Sequence, residues 1–254
     1  MLSIKNLSFR YGRHTPAVLK GVSLDLQPGQ VGILLGKNGS GKTTLLKNIL
    51  GILTPTAGSI RFQGEDLLKM PRRERAKRIA YVPQDIQFGA LSVFDSVLMG
   101  RITYFNMAAG PEDYAKVEQI LVDMGLDSLA LRNVEQLSGG ERQKVAIARA
   151  MAQDPQILIF DEPTGNLDIA NENRIIQEAK KLAKEKNIAI LSSLHDLNQA
   201  LSFGDKFFFL KDGTIHCQGG AEVVTQAAIQ NTFDINVRIV EIENQKIILE
   251  GTTI

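Results

Sequence analysis

The sequence predicts an α/β fold: a core with a parallel sheet, an N-terminal antiparallel β-subdomain and an inserted helical subdomain. Three observations predict it. Residues 2–34 alternate apolar and polar side chains, in "LSIKNLSFRY" and again in "VLKGVSLDLQPGQVGILLG". From about residue 91 to 152 the periodicity is helical. After about residue 156, apolar strand runs alternate with helical stretches, the order that builds a parallel sheet.

The elements follow in order. The alternating front is strand broken by turn residues at Gly12, Gly21 and Pro28–Gly29. "VGILLG" is continuously apolar, as a strand buried on both faces must be. It runs through glycines into "KTTLLKNILG", a helix closed by Gly51. "GSIRFQGEDL" (58–67) is a short strand and turn, and "RIAYVPQ" (78–84) a strand stopped by Pro83. The helical block breaks at Gly100 and Gly110–Pro111. "QILIFDE" (156–162) and "IAILSS" (188–193) are strands separated by a helix over 170–186. Another helix and the strand "KFFFLKDG" follow, and "KDGTI" is a hairpin turn. The end, 221–254, combines a short helical stretch with polar alternation. The expected organisation is a single domain: core at 1–85 and 154–220, helical subdomain at 86–153, tail at 221–254.

Bulk properties narrow the function. A net charge of +1 gives no global argument for nucleic acid or anionic lipid. One cysteine, Cys217, excludes an internal disulfide and fits a reducing compartment. "MLSIKNLSFRYG" has no apolar h-region, and runs such as "ILIF" and "FFFL" are too short for a bilayer. The expectation is a soluble, cytoplasmic chain. The basic run "KMPRRERAKR" (69–78) lacks interleaved aromatics and reads as a solvated helix face, with no nucleic-acid partner.

Two motifs carry chemistry on their residues alone. "GKNGSGKT", Gly36–Thr43, fits G-x-x-x-x-G-K-[ST] between a buried strand and a helix. Gly36, Gly39 and Gly41 let backbone wrap phosphates, Lys42 reaches the β/γ-phosphates, and the Thr43 hydroxyl ligates Mg²⁺. Lys37, Asn38, Ser40 and Thr44 complete the candidate nucleotide contacts. "ILIFDE" ends a hydrophobic strand in two carboxylates. Asp161 is placed to hold Mg²⁺ and Glu162 to polarise the attacking water as a general base. Nucleoside triphosphate hydrolysis follows from the two motifs together.

A third segment, "LSGGERQKVAIARAMA" (137–152), is a helix that opens on two glycines. Glycine in a helix interior costs about 1 kcal/mol relative to alanine. Ser138 and Glu141 form a capping-box pattern, which leaves Gly139 and Gly140 unexplained. Bare N–H groups at a helix N-terminus suit an anion.

The order P-loop, "YVPQ", "LSGGERQ", "ILIFDEPTGNLD", "SLHDLNQA" resembles the ATP-binding subunits of ABC transporters over nearly the whole chain. The resemblance implies a P-loop NTPase core, ATP and Mg²⁺ as cofactors, and a head-to-tail dimer. In such a dimer Ser138, Gly139 and Gly140 of one copy meet the ATP held by the other. It implies that Gln84 touches Mg²⁺ and links to the membrane partner; alone, Gln84 reads as a polar residue after a strand. Asp168, in "GNLD" (165–168), falls in the loop that crosses the dimer interface, and His195 is the γ-phosphate histidine. His14 and His216 have no such support. Tyr11 resembles the aromatic residue that stacks on adenine; alone it reads as sheet packing with Leu7 and Phe9. The implied partners are membrane permease subunits and, indirectly, a substrate-binding protein, with the chain peripheral on the cytoplasmic membrane face. Some of Phe88, Phe94, Tyr104 and Phe105 are expected to line the permease groove. "KRIAYVPQDIQFGALSVFDSVLMGR" with "HDLNQAL" is similar to the importers of iron–siderophore, haem or cobalamin. Zinc, manganese or molybdate import is the alternative, and a non-transport ABC ATPase a more distant one.

Overall fold

In a computed structural model, residues 1–84, 86–162, 169–243 and 245–250 are described. The strands and helices run β1 (Leu2–Phe9), β2 (Leu19–Leu26), β3 (Val31–Leu35), α1 (Lys42–Ile49), β4 (Ala57–Phe62), β5 (Glu65–Asp66), α2 (Arg72–Arg78), β6 (Ile79–Val82) and α3 (Val93–Leu98). They continue with α4 (Pro111–Asp123), α5 (Gly139–Met151), β7 (Ile157–Asp161), α6 (Ile169–Glu185), β8 (Ala189–Ser193), α7 (Leu197–Phe203), β9 (Lys206–Lys211), β10 (Thr214–Gly219), α8 (Gln226–Phe233), β11 (Val237–Ile242) and β12 (Gln245–Glu250). The chain divides into two compact units, Met1–Met70 with Ala183–Ile254, and Pro71–Leu182.

The first unit holds the antiparallel front, in the order β2-β1-β4-β5. Its alternation is real: Leu2, Ile4, Leu7 and Phe9 are buried on β1, and Leu19, Val22, Leu24 and Leu26 on β2. The parallel strands β8, β3 and β9 lie side by side, with β10 antiparallel to β9. Every residue of β3 is buried, as a continuous apolar run requires, and β8 is buried throughout too, including Ser192 and Ser193 at its end. The β9–β10 turn places Asp212 and Gly213 at φ 49° and 81°, the pair of positive angles that a tight hairpin takes. Helix α1 stops as expected: Gly51 at φ 68° follows its C-cap, and Ile52 N–H returns to the Lys47 carbonyl. The alternating C-terminal residues form a two-stranded hairpin, β11–β12.

The second unit pairs β6 with β7 in parallel, Ile79 opposite Ile157 through Val82 opposite Phe160. Its helices start on legible signals. Ser92 caps α3 by accepting from Asp95 N–H. Pro111 opens α4 at the first helical position, where its missing N–H costs nothing. The buried faces are Val93 and Val97 of α3, Val117, Ile120 and Leu121 of α4, and Val145–Ala148, Ala150 and Met151 of α5. Helix α2 buries no residue, in line with a solvated basic face. It is nonetheless tied down: Arg73 donates to the carbonyls of Thr103 (2.8 Å) and Phe105 (2.7 Å). Among the described residues, no helix is long and apolar enough to cross a membrane.

Candidate nucleotide and acidic sites

In the first unit, β3 delivers the chain into the loop Gly36–Gly41, and α1 leaves it at Lys42. A Cβ on Gly36 would lie 2.3 Å from the Leu210 carbonyl oxygen and 2.7 Å from Ser40 Oγ, so only glycine fits. Gly41 caps α1 at φ 108°, with no side-chain cap and no acid in the first turn. The helix therefore presents its N–H groups and positive dipole end to whatever the loop encloses. The buried Lys42 ammonium donates to the carbonyls of Gly36 (2.7 Å) and Lys37 (3.2 Å). Ser40 Oγ is buried without a hydrogen-bond partner, and a buried hydroxyl left unpaired is costly. Lys37, Asn38, Gly39 and Thr43 are exposed. This cradle fits a triphosphate: a Cβ-free wall, an orphaned hydroxyl, a bare helix end and an ammonium.

Tyr11 departs from the sheet-packing reading. Strand β1 ends at Phe9, and Tyr11 is 63% exposed. Phe9 meets its ring edge-on at 4.9 Å and 87°, and its hydroxyl is 3.1 Å from Thr44 Oγ1 on α1. The ring is thus anchored at its edge and at its hydroxyl, one helical turn from the phosphate loop. His195 is exposed at the end of the β8 segment, just before Asp196, which caps α7 through Gln199 N–H.

In the second unit, β7 is buried throughout and ends at Asp161, itself 7% exposed. Tyr81 of β6 reaches Asp161 Oδ2 at 3.4 Å. Burial first, then the Asp161 charge, push the Tyr81 phenol up to about 12, so it remains a donor to the carboxylate. Glu162 takes φ 53°, in the left-handed region that a non-glycine residue rarely adopts. Such strain costs about 1–3 kcal/mol and gathers at functional sites. The Glu162 carboxylate accepts from Gln84 Nε2 at 2.8 Å, across 78 positions of sequence. Gln84, Asp161 and Glu162, which the sequence singles out separately, are brought together with Tyr81, which it does not. Gln84 and Asp161 offer oxygen here, as Thr43 does in the first unit, the donor type Mg²⁺ prefers. No cluster of three or more metal-binding His, Cys, Asp or Glu residues exists among the described residues.

The helix α5 opening is now explicit. Ser138 Oγ accepts from Glu141 N–H (3.3 Å), while Glu141 Oε2 accepts from Ser138 N–H (2.8 Å) and Ser138 Oγ (2.7 Å). Those bonds hold the Glu141 carboxyl below its usual range. Gly139 is exposed and Gly140 buried, and neither carries a side chain into the first turn. "GNLD", with Asp168, lies outside the described residues.

Of the four aromatic residues expected to line the permease groove, three have side-chain surroundings within the second unit. Phe88 is buried, Phe94 stacks on Tyr114, and Tyr104 lies 3.7 Å from the Arg101 guanidinium with its hydroxyl on the Gln153 carbonyl. The Phe105 carbonyl is held by Arg73. A cleft of about 230 Å³ lies instead beside Pro83, Ile86, Gln87, Ala146, Arg149 and Gln153. Its signal in sequence is only the adjacency of the first three to Gln84.

These features are those of an ATP-binding cassette, and the comparisons agree. The sequence pattern of the ABC transporter family matches residues 19–165. The chain belongs to the ABC transporter family, as an ATP-binding, ATP-hydrolysing subunit. It is 37% identical over 247 residues to the hemin import ATP-binding protein of Pseudomonas entomophila, covering 94% of each chain. It is 34% identical over 245 residues to the achromobactin transport ATP-binding protein of Dickeya dadantii, covering 94% of this chain and 91% of that one. A solved inward-facing ABC transporter assigned to the metal-chelate type has a chain that superposes with a TM-score of 0.85 at 30% identity, covering 99% of this chain and 98% of its own. One solved cassette of this family, MJ0796, is dimeric; its chain superposes with a TM-score of 0.74 at 31% identity, covering 87% of this chain and 98% of its own.

Proposed function

We propose that this chain hydrolyses Mg²⁺-ATP to energise import of a metal chelate or corrinoid, in the class of iron–siderophore, haem or cobalamin. One observation supports the catalytic reading above others: Glu162, strained at φ 53°, sits directly after the buried Mg²⁺-type carboxylate and is held by Gln84. Lys42 and the α1 N–H groups bind the phosphates, and Tyr11 stacks on adenine. Mg²⁺, when bound, would supply positive charge against the phosphate oxygens. Thr43, Asp161 and Gln84 would hold it. Glu162 accepts the proton of the attacking water, and His195 contacts the γ-phosphate. Ser138, Gly139 and Gly140 serve ATP held by a second copy. Asp168 acts at the dimer interface.

The substrate class rests on the relatives, whose names place them in hemin import and achromobactin transport. The partner is a membrane permease, which brings this chain to the cytoplasmic membrane face; a substrate-binding protein delivers cargo from the other side. The cleft beside Pro83 and Arg149, with exposed Met99, Ile102 and Met107 nearby in sequence, is where the permease docks.

Glu162→Gln tests the mechanism. ATP binding should persist while turnover falls by about 10²–10⁴-fold, the usual contribution of a general base. Loss of binding along with turnover would make Glu162 structural. Cargo is tested with the co-purified permease in sealed vesicles, by comparing ATP-driven uptake of ferric siderophore, hemin, cobalamin and zinc. Uptake of zinc alone would overturn the assignment.

A further inference from the structure

The residues after Gly220 reach the phosphate loop. Helix α8 ends at Phe233, and Asp234 follows at φ 55°. Its Oδ2 accepts from Lys37 Nζ at 2.5 Å, and its Oδ1 lies 3.6 Å from Lys211 Nζ. Lys211 also donates to the Asn231 carbonyl in the last turn of α8. The hydrogen bond from Lys37, ahead of the charges of Lys211 and Lys37, holds the Asp234 carboxyl below the usual carboxylate range.

Two contacts carry this arrangement into the loop. The Lys37 carbonyl accepts from the Lys42 ammonium at 3.2 Å. Gly36 packs so closely on the Leu210 carbonyl that no Cβ fits, and Leu210 is the neighbour of Lys211. One carboxylate therefore gathers two cations where the loop begins. The cap itself does not ask for a carboxylate, because glycine takes the left-handed position after a helix at least cost.

We propose that Asp234 is a positioning residue of the ATP site: by holding Lys37 and Lys211 it fixes the start of the phosphate loop, so that α8 contributes to nucleotide affinity without touching nucleotide. The inference rests on the reading of Gly36–Thr44 as the ATP site. A released Lys37 has to be ordered again when nucleotide binds, which weakens affinity. Removing a negative charge near an anion acts the other way. That effect is limited because Asp234 is exposed and screened by salt.

Asp234→Gly separates positioning from folding, since glycine keeps the cap. The apparent KM for ATP should rise about two- to fivefold, the range an exposed but well-placed ion pair supports, with kcat little changed. The thermal midpoint without nucleotide should stay level or rise. Asp234→Asn, which also tolerates the left-handed angle, should raise KM less, and it replaces the glycine variant if that one fails to fold. In a Lys37→Met background, Asp234→Gly should have almost no further effect, as expected for residues acting through one contact. An unchanged or lowered KM in Asp234→Gly overturns the proposal, and so do additive effects of the two substitutions. Lys42→Ala is the control: if it still binds ATP like the wild type, the ATP-site reading fails rather than the role of Asp234.

Discussion

Residue-scale chemistry rests on a few side chains whose partners decide their state. Tyr81 is pushed to about 12 by burial and by Asp161. Because that value lies above the ordinary 10.0 of an unfolded tyrosine, its contribution to stability is complete below pH 10 and is lost as pH climbs toward 12. At physiological pH it is a neutral donor that orients Asp161. Tyr81→Phe should raise the Mg²⁺ concentration for half-maximal ATPase activity by several-fold, toward the low end of the ~10–100-fold known for partners of metal ligands, since the contact is long at 3.4 Å. A titration of ATPase rate against Mg²⁺ reads it, and an unchanged midpoint would remove Tyr81 from the site. Tyr11 offers a second test. Its hydroxyl only steadies the ring through Thr44, so Tyr11→Phe should bind ATP almost normally. Tyr11→Ala should lose the ~1–3 kcal/mol that aromatic–base stacking supplies. Equal losses in both variants would mean that the hydroxyl matters and the ring does not. At this scale the sequence is legible where one short segment carries the pattern: Gly36, Lys42 and Thr43 share one loop and helix start, and Asp161–Glu162 are adjacent. It is not legible where partners are distant. Nothing local announces that Gln84 meets Glu162, or that Lys37 meets Asp234 across 197 positions.

Among the elements, the short "GR" of "VLMGR" shows how one buried charge organises the helical insert. Arg101 is 8% exposed. Its Nε donates to Asp113 on α4 (3.0 Å), and its Nη1 donates to the Ala152 carbonyl at the end of α5 (3.0 Å) and to Asp154 (2.8 Å). Asp113 in turn accepts from Gly110 N–H, the bond that does most to keep its carboxyl below the usual range. Arg101→Ala would leave Asp113 buried without its cation. Breaking such a pair typically costs about 3–5 kcal/mol, enough to unfold a marginal domain. Arg101→Lys, which cannot make the fork of contacts, should recover only part of that in urea denaturation; full recovery would show that charge alone suffices. The capping box of α5 makes a pH claim. Glu141 is held below its usual range by the Ser138 bonds, so its support is present above the ordinary glutamate value and is lost as pH falls through the lowered one. Glu141→Gln should therefore flatten the acid limb of the stability curve without altering the neutral plateau by more than about 1 kcal/mol. The helices themselves are legible from Ser92, Pro111 and Ser138, because caps are local. The insert's interior is not: that Phe88 is buried, that Phe94 stacks on Tyr114 and that Tyr104 meets Arg101 are contacts no local signal announces.

For the whole molecule, the question is whether the bare first turn of α5 serves its own chain or another. Ser138 and Glu141 satisfy the cap between themselves. Gly139 and Gly140 add nothing to it, and glycine there weakens the helix by up to about 1 kcal/mol relative to alanine. On the proposed reading, an anion from a second copy would give the first-turn N–H groups a partner. If each ATP lies between Lys42 of one copy and Ser138 of the other, lesions distribute in a distinctive way. Pair a Lys42→Ala chain with a Ser138→Arg chain. One site carries both lesions and the other carries neither, so ATP-dependent closure should return on mixing. Now place both substitutions in one chain and pair it with wild type. Each site then has one lesion, and closure should disappear. A signature acting within its own chain reverses both results, because wild type would then bring a complete site of its own. Hydrolysis is the weaker readout, since two coupled sites can silence a single intact one. Closure of differently tagged chains, read by energy transfer that reports only the mixed species, avoids that. Closure in the wild-type/double-variant pair without closure in the pair of single variants would place the signature helix at its own chain's nucleotide.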